Sequence, residues 1–168
     1  MGSLATAEAC DSNAALVASG EIRVLPPIFR IYGRRRAFSG QIVTLKVFEN
    51  NVLVRELLES GGDGGGRVLV MDGGGSLRCA VFGGRLCQLA ESKGWAGVVV
   101  NGCVRDLDEI NGCDIGVRAV ASNPVKPGKK VIAEKHVQIC IAGTVIRDGE
   151  WLYADSDGVL VSSARLSG

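Results

Sequence analysis

Apolar positions along the chain fall into two patterns, and their order predicts the architecture. Residues 68–71 form a continuous apolar run that stops at Asp72 and three glycines, Gly73-Gly74-Gly75. Leu86, Leu89 and Ala90 then recur at helical spacing up to Gly94, and a second apolar run at 98–100 ends at Asn101-Gly102. Short β-branched runs alternating with one helix predict a βαβ unit with parallel strands. Ligands gather in such units where strands end and helices begin, because loop amides and the helix dipole point there. The loops after the two runs are therefore the expected walls of a site.

Elsewhere the spacing of Ala9, Leu16 and Val17 predicts a helix over residues 6–18, with Thr6 as its cap and Gly20 as its stop. Residues 22–28 read as extended, interrupted by Pro26-Pro27, and the Arg30-Ile31-Tyr32-Gly33-Arg34-Arg35-Arg36 run reads as a solvated charged turn, with an anion or subunit contact as the alternative. Over residues 40–48, Ile42, Thr44 and Lys46 alternate with Val43, Leu45 and Val47, the mark of a half-buried strand. Residues 51–59 predict a short helix capped by Asn51 with Leu53 and Leu57 on one face, and the glycine-rich residues 60–66 a connecting loop. Beyond the central stretch, residues 124–130 break regular structure, and residues 137–142, 144–146 and 159–161 read as strands joined by turns at Gly143 and Asp148-Gly149. Asp155-Ser156-Asp157-Gly158 reads as a plain turn, since it lacks the later ligands and bidentate glutamate of a calcium loop. The sum is a single α/β domain over residues 1–168, rich in strands and poor in helices.

Composition narrows the class. The chain is long enough for one real core at 168 residues, and its 46% hydrophobic and 22% charged residues are ordinary for a soluble protein. No apolar stretch approaches the ~20 residues that span a bilayer, and no secretory signal pattern is visible. A net charge of +1 gives no electrostatic case for nucleic acid or an anionic membrane. The start, Met1-Gly2-Ser3-Leu4-Ala5-Thr6, fits a myristoylation pattern but no basic cluster follows it. The six cysteines, at 10, 79, 87, 103, 113 and 140, show no CxxC spacing and read as buried free thiols of a cytoplasmic protein. With His136 the only histidine, a multi-histidine metal site is excluded unless subunits share it.

Two clusters carry candidate chemistry. Gly73-Gly74-Gly75 after a strand, and Gly83-Gly84 before a helix, let backbone amides approach an anion, with a small carboxylate or phosphate reasonable at the helix start near Arg85, although glycine loops alone are more often turns than sites. Neither matches a dinucleotide or P-loop fingerprint. Arg105-Asp106-Leu107-Asp108-Glu109 packs one cation and three carboxylates into five residues. Arginine offers a planar fork for a carboxylate or enolate oxygen, and adjacent carboxylates suit a hydrated Mg²⁺. The same residues equally suit a solvated helix start, where acids meet the dipole. If Asp106 begins a helical turn, Glu109 shares its face.

The spacing of Gly84, twenty residues, Arg105-Asp106, two residues and Glu109 resembles the G-X20-R-D-X2-E/D signature of class II pyruvate aldolases of the RraA-like family. The similarity extends through TAEACD, FSGQIVTLKVFENN, RVLVMDGGGSLRCAVFGG, GWAGVVVNGCVRDLDEINGCDIGVRA and WLYADSDGVLVS, in wording like the plant branch. The resemblance implies a swivelling β/β/α fold and a homotrimer, or a dimer of trimers, with sites near subunit interfaces. It implies a divalent metal, Mg²⁺ or Mn²⁺, a small 2-oxo acid substrate and cleavage of 4-hydroxy-4-methyl-2-oxoglutarate to two pyruvates. Oxaloacetate decarboxylation shares the enolate and is expected as a side activity. Carried over by position, Gly83, Gly84, Arg85 and Leu86 line the substrate pocket, Arg105 contacts substrate and Asp106 binds the metal. Glu109 supports the hydrated metal. No lysine of the central stretch suits a Schiff base, since Lys93 lies on the far side of the helix from Arg85. The alternative, a non-enzymatic regulator that binds a ribonuclease, is implied by bacterial members of the same family, and the retained Glu109 favours the enzyme. Neither nucleic acid nor membrane is an expected partner.

Overall fold

A computed structural model of the chain describes residues 4–61, 66–130 and 132–167. The first residues of the myristoylation-like start and the middle of the 60–66 glycine loop lie outside these. The chain opens with α1 (Thr6–Ser12) and α2 (Ala14–Ser19), then β1 (Ile22–Val24), β2 (Arg30–Tyr32) and the long β3 (Phe38–Val47). The central part is α3 (Val52–Glu59), β4 (Val68–Asp72), β5 (Ala80–Phe82), α4 (Gly84–Ser92), β6 (Gly97–Val104), α5 (Leu107–Asn111) and β7 (Gly116–Ser122). It closes with β8 (Ala133–Lys135), β9 (Ile139–Ile141), β10 (Thr144–Ile146), β11 (Trp151–Ala154) and β12 (Val159–Ser162).

The main sheet runs β1-β12-β11-β3-β4-β6-β7-β2, with β5 added on β6 and β8 on β3. Strands β3, β4, β6 and β7 are mutually parallel, as the βαβ reading requires, and α3, α4 and α5 make the crossovers. The short β5 also pairs parallel to β6, and the remaining strand pairings are antiparallel. Strand β3 belongs to both halves: residues 38–41 pair with β11 and residues 42–46 with β4. That hand-over folds the antiparallel half, with the β9–β10 hairpin, across one face of the parallel strands.

Both faces of the parallel strands are consequently buried, which is why their runs are continuous rather than alternating. Leu69, Met71, Val98 and Val100 face the helices together with Val54, Leu57, Leu58, Leu86 and Ala90. Val68, Val70 and Val99 face the antiparallel half with Ile42, Ile139, Ile146 and Leu152. The layering is β/β/α, the mixed architecture expected. A smaller cluster of Ala9, Ile22, Tyr153 and Leu160 seats the N-terminal helices.

The two halves meet at Phe38. Its ring covers Gly97 and Gly116, a directly paired couple on β6 and β7. A Cβ on Gly116 would enter that ring, 2.7 Å from Cγ, and one on Gly97 would stand 3.0 Å from the same atom. The guanidinium of Arg118 lies 5.1 Å from the ring centroid. Arg118 is 2% exposed and donates to the carbonyls of Arg36 and Asp155. Burial lowers its pKa to about 10.

Several local expectations are corrected. The helix over 6–18 is broken at Asn13, whose φ of −131° is not helical. Gly20 does end it in the left-handed region, at φ 86°. Thr6 does not cap: Ala5 holds that position, and Thr6 donates from N and Oγ1 to the Asp155 carboxylate at 2.8 and 2.7 Å. The Asp155 turn thus anchors the first helix. Extended structure in 22–28 stops at Val24, before the prolines, and Arg30–Tyr32 is a strand paired with β7 rather than a charged turn. Strand β3 is buried on both faces, Thr44 satisfying its hydroxyl on Val137 O at 2.7 Å. Strand β6 does not end at Asn101-Gly102 but continues through a register shift to Val104. Strands β5, β8 and β11 were not expected, and only residues 139–141 of the 137–142 run are strand.

All six cysteines are free, but Cys140 is exposed and Cys10 half-buried, against the expectation that all are buried. Burial raises the thiol pKa of Cys87. Among the described residues no helix is long and apolar enough to cross a membrane.

The Phe38 contact generates a stability test. Because a methyl at Gly116 must displace an aromatic ring held between two layers, Gly116→Ala should destabilise the fold by ~1–3 kcal/mol through overpacking. Chemical denaturation should show a lower midpoint with an unchanged slope; a midpoint equal to wild type would mean that the ring is not held as described.

Candidate active site

The parallel strands deliver their carboxyl ends to one rim, and the site forms there. Strand β5 ends at Phe82, and Gly83 leads into α4; β6 ends at Val104, and Arg105-Asp106 leads into α5. The Arg105 amide donates to Phe82 O at 3.1 Å, so the two strand ends are tied side by side. The irregularity between Val100 and Cys103 lies just upstream and shifts the register with which β6 reaches the rim.

Asp106 precedes α5 in the left-handed region, φ 61° and ψ 51°, uncommon for a residue with a side chain though tolerated best by Asp and Asn. Such a conformation costs on the order of 1 kcal/mol and is kept where surrounding contacts demand it. Here the demand is visible: Asp106 Oδ2 accepts the Gly84 amide at 3.1 Å. The first amide of α4 is thereby satisfied by a carboxylate at its positive end, a favourable placement.

Glycine is required on the facing side. A Cβ on Gly84 would collide with Glu109 Oε2 and stand 2.7 Å from Glu109 Cδ and 2.8 Å from its Cβ. Rotating the glutamate away cannot relieve a clash with Cβ. A Cβ on Gly83 would reach 3.0 Å from Asp106 Oδ2 and 3.3 Å from Arg105 Cγ. The spacing noticed in the sequence is therefore a set of contacts: Gly84 touches both Asp106 and Glu109.

These residues line one cavity of about 600 Å³. Gly83, Gly84, Arg85, Leu86, Arg105, Asp106 and Glu109, all the expected site residues, border it together with Asn51, Val52, Arg55, Ala80 and Pro127. Arg105 is tethered through Nη1 to Pro124 O at 3.3 Å, and Arg85 has no hydrogen-bonding or ionic partner among the described residues. Asp106, Glu109 and Arg85 are exposed to the cavity and solvent, and Leu86 is buried beneath.

The other glycine cluster does not belong to the site. Gly73 and Gly75 donate to Asn101 O at 3.0 and 3.1 Å, and Gly74 donates to Asp72 Oδ1 at 2.9 Å. With its amides satisfied by the protein, that loop offers nothing to an anion. Nor does His136 take part: it follows β8 at φ 59° and sits 3.2 Å from Asp148 Oδ1, away from the cavity lining.

Asn51 and Arg55 were missed as site residues. Asn51 was expected as a cap, yet its side chain makes no capping hydrogen bond and it borders the cavity instead. Arg55 has Glu59 four residues on, so its local pattern matches any solvated helix.

The residues fit a particular kind of cation. Among the described residues no three His, Cys, Asp or Glu side chains cluster. One carboxylate oxygen of Asp106, with Glu109 on the next turn, instead suits a hard cation that keeps most of its water, as Mg²⁺ does.

Fold alone does not choose the chemistry. The chain is 66% identical over 167 residues, 99% of each chain, to an Arabidopsis thaliana protein named "Putative 4-hydroxy-4-methyl-2-oxoglutarate aldolase 3". It superposes at a TM-score of 0.90 and 41% identity on the RNA-processing inhibitor RraA from Thermus thermophilis, covering 99% of this chain and 97% of that one. At 0.88 and 44% identity, with 97% of each chain covered, it also matches a Geobacillus kaustophilus structure described as an S-adenosylmethionine:2-dimethylmenaquinone methyltransferase. Three activities are thus named among similar chains, and the RraA-like family model, described as Aldolase/RraA, matches residues 6–161 here: the chain belongs to the RraA-like family.

Proposed function

We propose that the protein is a divalent-metal-dependent, class II aldolase that cleaves 4-hydroxy-4-methyl-2-oxoglutarate to two pyruvates, with oxaloacetate decarboxylation as a side activity. The observation that carries this reading is the convergence of Gly84, Arg105, Asp106 and Glu109 on one cavity through mutual contacts. The name carried by the plant relative agrees with it.

Breaking the C3–C4 bond leaves its electron pair on C3, delocalised onto the 2-oxo oxygen as an enolate, while C4 becomes the carbonyl of the second pyruvate. The 4-hydroxyl loses its proton and C3 gains one. A cation held by Asp106, Mg²⁺ or Mn²⁺, would supply Lewis acidity to the 2-oxo group. Arg105 presents its fork to the developing oxyanion with a charge-assisted hydrogen bond. The amides of Arg85 and Leu86, unpaired among the described residues at the start of α4, receive the adjacent carboxylate. Glu109, beside Gly84, would accept hydrogen bonds from water carried by a cation held at Asp106.

Oxaloacetate loses carbon dioxide through the same enolate, so both reactions draw on the same residues. Six free thiols accord with a reducing, cytoplasmic setting. An open, half-walled cavity accords with completion by a neighbouring subunit in a homotrimer or a dimer of trimers.

Chelation should abolish pyruvate release from 4-hydroxy-4-methyl-2-oxoglutarate, and Mg²⁺ or Mn²⁺ should restore it; full activity in thoroughly chelated enzyme counts against the reading. Light scattering of active enzyme should give a trimer or its multiple, and an active monomer would refute the interfacial site. Substitutions separate the two charged roles. Arg105→Lys keeps the charge but loses the fork, so turnover in both reactions should fall together by ~10²–10³. Glu109→Ala should weaken metal affinity by ~10- to 100-fold, with excess metal restoring most activity. Rescue of the arginine variant by metal, or unequal effects on the two reactions, would separate Arg105 from the shared enolate.

A further inference from the structure

We infer that Arg55 holds the far carboxylate of the substrate and makes the cavity selective for 2-oxo dicarboxylates over 2-oxo monocarboxylates. This rests on the aldolase reading for which end of the substrate lies at Arg105.

Arg55 comes from α3, a different element from those that carry Arg85, Arg105 and Asp106, yet it borders the same cavity. Its one ion pair among the described residues is with Glu59 at 4.0 Å, and both side chains are more than half exposed. So long and wet a pair leaves the guanidinium available to a better partner. Three guanidiniums, of Arg55, Arg85 and Arg105, face two carboxylates, of Asp106 and Glu109, leaving one positive charge in excess. A divalent cation at Asp106 would enlarge that excess further. A monoanionic 2-oxo acid leaves most of it unmatched, whereas a dianion does not.

The cavity also sorts the two ends. The reacting end is claimed by Arg105, Asp106 and the free amides of α4. With the reacting end so assigned, Arg55, on a separate element of the same cavity, offers a bidentate fork to the far carboxylate of a five-carbon 2-oxo diacid. Val52, from the same turn of α3, provides an apolar surface for substituents on C4. After cleavage that far carboxylate becomes the carboxylate of the second pyruvate. Arg55 thus binds a group that neither forms nor breaks a bond, which makes it a specificity determinant rather than a catalytic residue.

Binding of two unreactive probes tests this directly. Neither 2-oxoglutarate nor 2-oxopentanoate has a 4-hydroxyl, so neither can undergo the aldol cleavage, and only the first has a far carboxylate. Calorimetry with Mg²⁺ present should show wild type binding 2-oxoglutarate ~10- to 100-fold more tightly, the range for one charge-assisted contact. Arg55→Ala should remove the preference by lowering affinity for 2-oxoglutarate alone, and Arg55→Lys should restore part of it. A preference that survives in Arg55→Ala overturns the proposal. So does an equal loss for both ligands, or no binding of either by wild type. Pyruvate release from 4-hydroxy-4-methyl-2-oxoglutarate is read separately on the same preparation. Absent release with an Arg55-dependent preference sinks the aldolase reading and upholds the diacid site. Release without a preference does the reverse.

Discussion

The hydrogen bond from the Gly84 amide to Asp106 Oδ2 is the constraint on which the site depends. It joins two strand-to-helix turns more than twenty residues apart in sequence and holds Asp106 at a backbone angle it would not otherwise favour. That angle turns the chain sharply enough for α5 to start at once, which brings Glu109 onto Gly84. The carboxylate is therefore oriented before any ligand arrives. Its second oxygen has no hydrogen-bond partner among the described residues, and Arg105, one residue earlier, borders the cavity. Such preorganisation is what a site must have if it is to stabilise charge that exists only during reaction.

That turn is placed by packing well removed from it. Strands β6 and β7 can lie under Phe38 only because Gly97 and Gly116 present no side chain there. The ring in turn covers a cation, Arg118, whose donors are spent on carbonyls rather than on a carboxylate. A buried cation without an ionic partner is costly, and its lowered pKa reports that cost. The aromatic face and the fixed carbonyls offset part of it. Because Asp155 also accepts two hydrogen bonds from Thr6, the same corner ties the N-terminal helix, the Asp155 turn and the parallel strands into one body.

What the sequence made legible follows from range. Parallel strands announced themselves because a strand buried on both faces needs an unbroken apolar run, a local property. The site residues were legible through their spacing, which the fold turns into contacts among Gly84, Asp106 and Glu109. Less legible was anything decided by a distant partner. Thr6 read as a cap because nothing local revealed that Asp155, far along the chain, would take its donors. Gly73-Gly74-Gly75 read as an anion cradle because the claim of Asn101 O on two of those amides is made across strands. Arg30–Tyr32 read as a charged turn because its exposed arginines hid a strand defined only by pairing with β7. Asn51 and Arg55 carried ordinary helix signals, and only the cavity distinguishes them.

The contact between Gly84 and Glu109 bears on how one fold can carry different named activities. A glycine needed only for chain flexibility could be replaced wherever its φ is ordinary, and Gly84 lies within a helix where alanine would be preferred on propensity alone. Its identity is forced by the acid packed on it. The pair is then a unit: the glycine makes room for the carboxylate, and the carboxylate gives the glycine its reason. A chain of this architecture that lacks the acid would be free to fill position 84 and would lose the second negative group beside Asp106. Retaining both residues keeps two carboxylates side by side at the rim, at the cost of helix propensity at the start of α4.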